Sequence, residues 1–238
     1  RYPGFRSSRI QVRSEVLINK TAERYEYLRE KYGTEKVFIV PFSYTNIIPD
    51  DFTPWDPEHS ARDIYGSILP YGKFIMRADA EEDITFQQII PYVLVKTTDG
   101  KFFVTRRING EQRLQGKLSL GVGGHINPCD DTRDGCEKMI KNGLERELTE
   151  EVKIPKVRKI RIYEYGTVRD LQSTTPDHIG IVFIQEVNSP KNIKVRETKN
   201  LEGLWMTIDE LKKNLSSLES WAKLIVAQLV FDEQKKNQ

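Results

Sequence analysis

Cysteine is scarce in this chain: its 238 residues hold two, Cys129 and Cys136. Two thiols do not make a disulfide framework. With His125 they offer only three ligands and no Cys-x-x-Cys pair, which argues against a zinc module built on them. Long apolar runs are also missing. IIPYVLV at 89–95 is among the longest, far short of the roughly 20 residues that span a bilayer. Neither sign of charge dominates. The 37 basic and 35 acidic residues leave a net charge of +2, which gives no support for a wholesale nucleic-acid binder. There is no internal repeat and no low-complexity tract. No Gly-Lys-Ser/Thr follows the glycines at 121–124, so they are not a P-loop. The chain starts at Arg1 rather than Met, and its first residues, RYPGFRSSRIQVRSEV, contain no apolar core of a secretory signal. A reducing cytoplasm is the expected compartment.

Hydrophobic residues at 38% and charged residues at 30% are a globular composition, not a disordered one. The chain divides by texture near residue 85. Before it, Thr21–Tyr32 has helical spacing in Tyr25, Leu28 and Tyr32, and KVFIVPF at 36–42 reads as a strand. Residues 43–75 carry many breakers interleaved with Phe52, Trp55, Tyr65, Tyr71 and Phe74. That pattern predicts irregular structure tied down by aromatic burial against a hairpin. Stacking on a nucleobase and a dimer surface are the other roles open to Trp55, Tyr65 and Tyr71. From Phe86 onward the pattern is stronger. Gln88–Lys96 and Lys101–Arg107 flank Asp99-Gly100 and predict a hairpin. Leu118–Val122 reads as a short strand and Cys136–Val152 as a helix closed by Pro155. Val157–Tyr165 and Ile179–Val187 read as strands, with a weaker one at Trp205-Met206. Two helices follow, with capping boxes at Thr207–Glu210 and Ser216–Glu219. Strands and helices mixed in this way predict an α/β (α+β) sandwich, with residues 1–85 as an extension packed on a domain at 86–238.

The segment Gly143-Leu-Glu-Arg-Glu-Leu-Thr-Glu-Glu-Val152 carries the chemistry. Glu147, Glu150 and Glu151 stand at i, i+3 and i+4, on one helix face. Like charges at that spacing repel by a few tenths of a kcal/mol per exposed pair. They also sit in the last turns, where the helix dipole disfavours negative charge. A solvated acidic face balanced by Arg146, Lys138 and Lys153 is one account. A bound hard cation, Mg²⁺ with Mn²⁺ as a substitute, is the other.

With its flanks, this segment resembles the signature of the Nudix hydrolases. Arg146-Glu147-Leu148-Thr149-Glu150-Glu151-Val152-Lys153-Ile154 matches the signature's tail except at Lys153, where the family has Gly. Gly123-Gly124-His125-Ile126 resembles its head. The Pro91-Tyr92 strand, the run from Gly121 to Pro128 and a long N-terminal extension are similar to a branch of phosphoesterases within that family. Between Gly124 and Arg146 lie 21 residues, 125–145, where the family pattern has thirteen. An insertion therefore falls within 127–141. Counted forward, Asp130 takes the slot of the signature's first Glu; counted back, Lys138 takes it.

The resemblance implies a Nudix-type α/β/α sandwich with a mixed central sheet. It implies a divalent-metal-dependent hydrolase of a diphosphate linkage, in a small-molecule nucleoside diphosphate derivative. The ligands it implies are Glu147, Glu150, Glu151 and the carbonyl of Gly123, with Arg146 orienting a box carboxylate. The general base is then a box Glu or a later carboxylate, and Glu197 is preferred to Glu202. Gly124, His125, Arg107 and His178 are the residues expected toward substrate, although His178 also reads as a structural hydrogen-bonder and Arg106, Arg107 and Arg113 as a solvated edge. A catalytically silent nucleotide-sensing module is the alternative, and the extension offers a surface for a homodimer.

Overall fold

The structure is a computed structural model that describes residues 21–55, 64–109, 116–173, 175 and 177–236. Arg113 and residues 1–20 lie outside the described residues. A helix over 21–32 (α1) leads to strand β1 (Lys36–Pro41), a single turn α2 (Phe42–Thr45), β2 (Phe52–Pro54) and β3 (Lys73–Met76). The short α3 (Arg77–Ala80) precedes the long β4 (Phe86–Thr97) and β5 (Phe102–Arg107). Next come β6 (Leu118–Ser119), β7 (Val122–Gly123), the helix α4 (Cys136–Glu151) and β8 (Val152–Lys153). The chain continues through β9 (Lys159–Arg169), β10 (His178–Val187), β11 (Lys194–Val195) and β12 (Leu201–Met206). It finishes with α5 (Ile208–Lys213) and α6 (Ser220–Lys236).

One 10-stranded sheet runs β12-β5-β4-β10-β9-β2, with β1, β6 and β7 attached along it and β3 joined through β1. It is mixed: β4 and β10 are parallel, and their other pairings are antiparallel. Alternation along β4 explains the two layers. Ile89, Val93 and Val95 point to the cluster that buries Met139, Ile140, Leu144 and Leu148 of α4. Tyr92 and Leu94 point to the other face, under Ala222, Ile225, Val226 and Leu229 of α6. This is the α/β/α sandwich with a mixed central sheet that the resemblance implies. Residues ahead of 86 enter the sheet directly. β1 pairs with β4 through Ile39–Gln88, and β2 pairs with β9.

Several local expectations change. The single strand at Leu118–Val122 is two strands, because the amide of Gly121 is drawn out of the ladder to donate to the Tyr92 hydroxyl at 2.8 Å. β9 starts at Lys159 rather than Val157, which lies in a 3₁₀ turn, and β12 is longer than Trp205-Met206. The capping box at Thr207–Glu210 forms with both reciprocal bonds. The second does not form. A 3₁₀ turn occupies Leu215–Ser217, and α6 starts one residue after Glu219. Trp55, Tyr65 and Phe74 pack on the core as expected. Tyr71 does not: it is exposed and stacks on Tyr44 with ring centroids 3.9 Å apart.

Candidate active site

The site grows from the strand β7, which pairs Gly123 with Tyr92 of β4 and so lays the glycine loop along the central sheet. The approach is too close for a side chain. A Cβ on Gly121 would stand 2.2 Å from the Tyr92 ring, and one on Gly123 would stand 2.4 Å from the Pro91 carbonyl oxygen. At Gly124 the obstacle is functional: a Cβ there would lie 2.3 Å from the carboxylate of Glu147. Gly124→Ala is therefore expected to displace that carboxylate and lower turnover about a hundredfold, with the melting temperature held near that of the wild type. Steady-state kinetics beside a thermal melt measure both.

The helix α4 delivers the acidic residues. Leu144 and Leu148 are buried in the core, which turns the neighbouring Glu147 and Glu151 to the edge of the sheet. There both line one cavity of about 770 Å³ with Gly123, Gly124, His125 and His178, within the size range of small-molecule sites. Burial pushes the Glu147 carboxyl up, against the lowering effect of Arg146. Burial and the charge of Glu147 push Glu151 up to about 7. Two carboxyls that are hard to ionise side by side, beside a carbonyl-bearing glycine loop, match an oxygen-ligated divalent cation. Glu150 is placed differently. Its side chain is 60% exposed and stands 3.6 Å from Arg146, outside the cavity wall.

Arg146 is the hub beneath the glutamates. Its Nε donates to Asp130 Oδ1 at 3.0 Å and its Nη2 to Asp130 Oδ2 at 2.8 Å. Nη1 donates to Glu147 Oε1 at 2.7 Å, and Nη2 also donates to the His125 carbonyl at 2.7 Å. One guanidinium thus bonds the glycine loop and a box carboxylate together. Its partner Asp130 is buried and also accepts the Asn127 amide at 2.8 Å. Of the two residues the spacing offered for that slot, Asp130 reaches Arg146. Gly143 faces it across the helix: a Cβ there would come within 3.2 Å of Asp130 Oδ2.

The remaining expected residues fall as follows. Arg107 is not on the cavity wall, but its charge acts on both Glu151 and Glu219. Arg106 pairs with Glu202 across β5 and β12. Glu197 is exposed, bonded by Asn200 and outside the cavity, because its turn lies beyond β11. His125 is held well below its ordinary pKa by burial and by the charge of Arg77. Both cysteines are free thiols. Residues the sequence did not single out also line the cavity. Glu219, raised by burial, reaches it because its capping box does not form. Trp221 of α6 lies edge-on to Tyr92 at 5.6 Å and lines the cavity, with Lys117 and Lys223 also on the wall. Glu35 and Arg77 come from the N-terminal residues.

The geometry has counterparts among known proteins. The NUDIX domain profile matches residues 88–229, more than half of the chain. "Protein YmaB" of Bacillus subtilis (strain 168) is 37% identical over 154 residues, covering 63% of this chain and 74% of that protein. The crystal structure of Tm1382, a protein assigned as a Nudix hydrolase, is similar with a TM-score of 0.67 at 25% identity, over 82% of this chain and 98% of the other. The domain implies metal-dependent hydrolysis of nucleoside diphosphate derivatives. On the matched profile, the shared fold and the Arg-Glu-Leu-Thr-Glu-Glu helix set against a double glycine, the chain belongs to the Nudix family and is a hydrolase.

Proposed function

We propose that the enzyme cleaves the diphosphate linkage of a nucleoside diphosphate derivative with Mg²⁺ as its working ion. The observation that carries this is the pair Glu147 and Glu151, two carboxyls raised by burial on one cavity wall beside the paired glycines. In this reading Glu147, Glu151 and the Gly123 carbonyl are the inner ligands and Glu150 the outer one. A bound divalent ion would supply Lewis-acid polarisation and a more acidic water. Arg146 keeps Glu147 aimed at the cavity through its bond to Oε1. Lys117 and Lys223 meet the charge of the phosphates, while Gly124, His125 and His178 border them. Arg107 tunes the carboxyls from behind the wall. Trp221 offers a flat face for a base. Glu219, on the wall, accepts the proton of the attacking water, the role expected of Glu197. The residues before 86 act as an extension that completes the wall with Glu35 and Arg77.

The test is a panel of nucleoside diphosphate derivatives incubated with Mg²⁺ or Mn²⁺, with phosphate read after phosphatase coupling. Turnover that EDTA abolishes and excess Mg²⁺ restores is expected for at least one of them. Tight binding of a panel member with no turnover under any divalent ion would favour the nucleotide-sensing alternative.

A further inference from the structure

A second group of potential ligands borders the same cavity through its two histidines, apart from Glu147 and Glu151. Among the described residues, Glu81, His125 and His178 are the group of three whose ligand atoms all lie within 4.8 Å of one another. They come from three elements. Glu81 caps α3, His125 follows the double glycine, and His178 opens β10. The two rings meet edge to face, with centroids 5.4 Å apart.

The hydrogen bonds behind the rings point the same way. His178 Nδ1 lies 3.1 Å from Asp177 Oδ1, and a carboxylate only accepts, so Nδ1 carries the proton. Gln88 donates its amide to Asp177 Oδ2 at 2.7 Å, which leaves its Oε1 to accept from His125 Nε2 at 2.8 Å. One buried glutamine and one aspartate therefore each fix one ring nitrogen of the pair as a donor. The free lone pairs are on His125 Nδ1 and His178 Nε2. Backing a ligand histidine with a carboxylate or carbonyl is the arrangement that orients imidazoles on metals. Register holds it in place, because Gln88 and His178 are partners in the parallel β4–β10 ladder. Glu81 is held by Arg77 through Oε1 at 3.5 Å, and Arg77 is itself neutralised by Glu35 at 3.1 Å.

We propose that Glu81, His125 and His178 form a second cation site, selective for a transition metal of the Zn²⁺ class over Mg²⁺. Two imidazoles and one carboxylate are the donor set of open three-ligand zinc sites, and nitrogen donors discriminate against Mg²⁺. His125 and His178 line the cavity, so the open coordination position faces the substrate space. The site goes beyond the diphosphate reading and does not depend on it.

Chelator-stripped full-length protein is titrated with Co²⁺ in millimolar Mg²⁺, and visible absorption follows the uptake. One equivalent is expected to bind, to be displaced by Zn²⁺ and to persist in Glu151→Gln. His178→Ala and Glu81→Gln are each expected to weaken the uptake by at least about tenfold. Thermal melts accompany each variant; if His178→Ala does not fold, Glu81→Gln decides. No Co²⁺ uptake in Mg²⁺, uptake indifferent to both site variants, or uptake lost in Glu151→Gln alone would each overturn the proposal. Mg²⁺-dependent turnover of the same preparations separates failure of this site from failure of the diphosphate reading.

Discussion

Glu151→Gln is expected to lower kcat/KM by about a thousandfold, the scale of several kcal/mol of Lewis-acid stabilisation. The same change is expected to leave the metal-free protein as stable as before, or more so, at alkaline pH. The sign follows from the site. The Glu151 carboxyl is raised to about 7 by burial and by Glu147, against about 4.3 in an unfolded chain. A raised carboxyl stabilises the fold when protonated. Its contribution is complete below the unfolded value and is lost as pH rises through 7. In EDTA the wild type should therefore lose melting temperature between about pH 5 and pH 8, and the glutamine variant should lack that component. Mg²⁺ should raise the melting temperature at pH 8 in the wild type far more than in the variant. Wild-type kinetics in the variant, or the same pH profile of melting in both proteins, would remove Glu151 from the ion.

Asp130→Ala is expected to destabilise the fold by about 3 kcal/mol, because it strands a guanidinium that is three-quarters buried. For a chain of this size that corresponds to a fall of roughly 6–12 °C in melting temperature. Arg146→Ala should fall by a similar amount, and the double variant by much less than the sum. Turnover should drop as well, since Arg146 also holds the His125 carbonyl and Glu147. An additive double-mutant cycle would show that the two side chains do not act as a unit.

Much of this was legible beforehand for identifiable reasons. That Glu147 and Glu151 share a face of α4 follows from helical spacing, and the burial of Leu144 and Leu148 turns that face to the cavity, with Glu150 left outside its wall. The hairpin at Asp99-Gly100 is a local pattern, and it holds, with β4 and β5 paired antiparallel and Gly100 at φ +86°. What could not be read depends on distant segments meeting. Asp130 sits in an insertion whose length hides its alignment, and only the folded loop selects it over Lys138. Glu219 reads as half of a capping box, and the 3₁₀ turn before it sends it to the cavity instead. Glu81 and His178 are 97 positions apart in the numbering, 178 minus 81, and no local pattern joins them.

The way β1 is stitched in has a consequence for engineering. Its Phe38 amide donates to the Ile126 carbonyl at 3.0 Å, its Lys36 carbonyl accepts from Asn127, and its Ile39 is laddered to Gln88. Trimming this protein to the span of the matched profile would strip a strand from the very rail that carries the double glycine. A minimal fragment cut at residue 86 would keep every acidic side chain of the signature and lose the scaffold that sets their spacing.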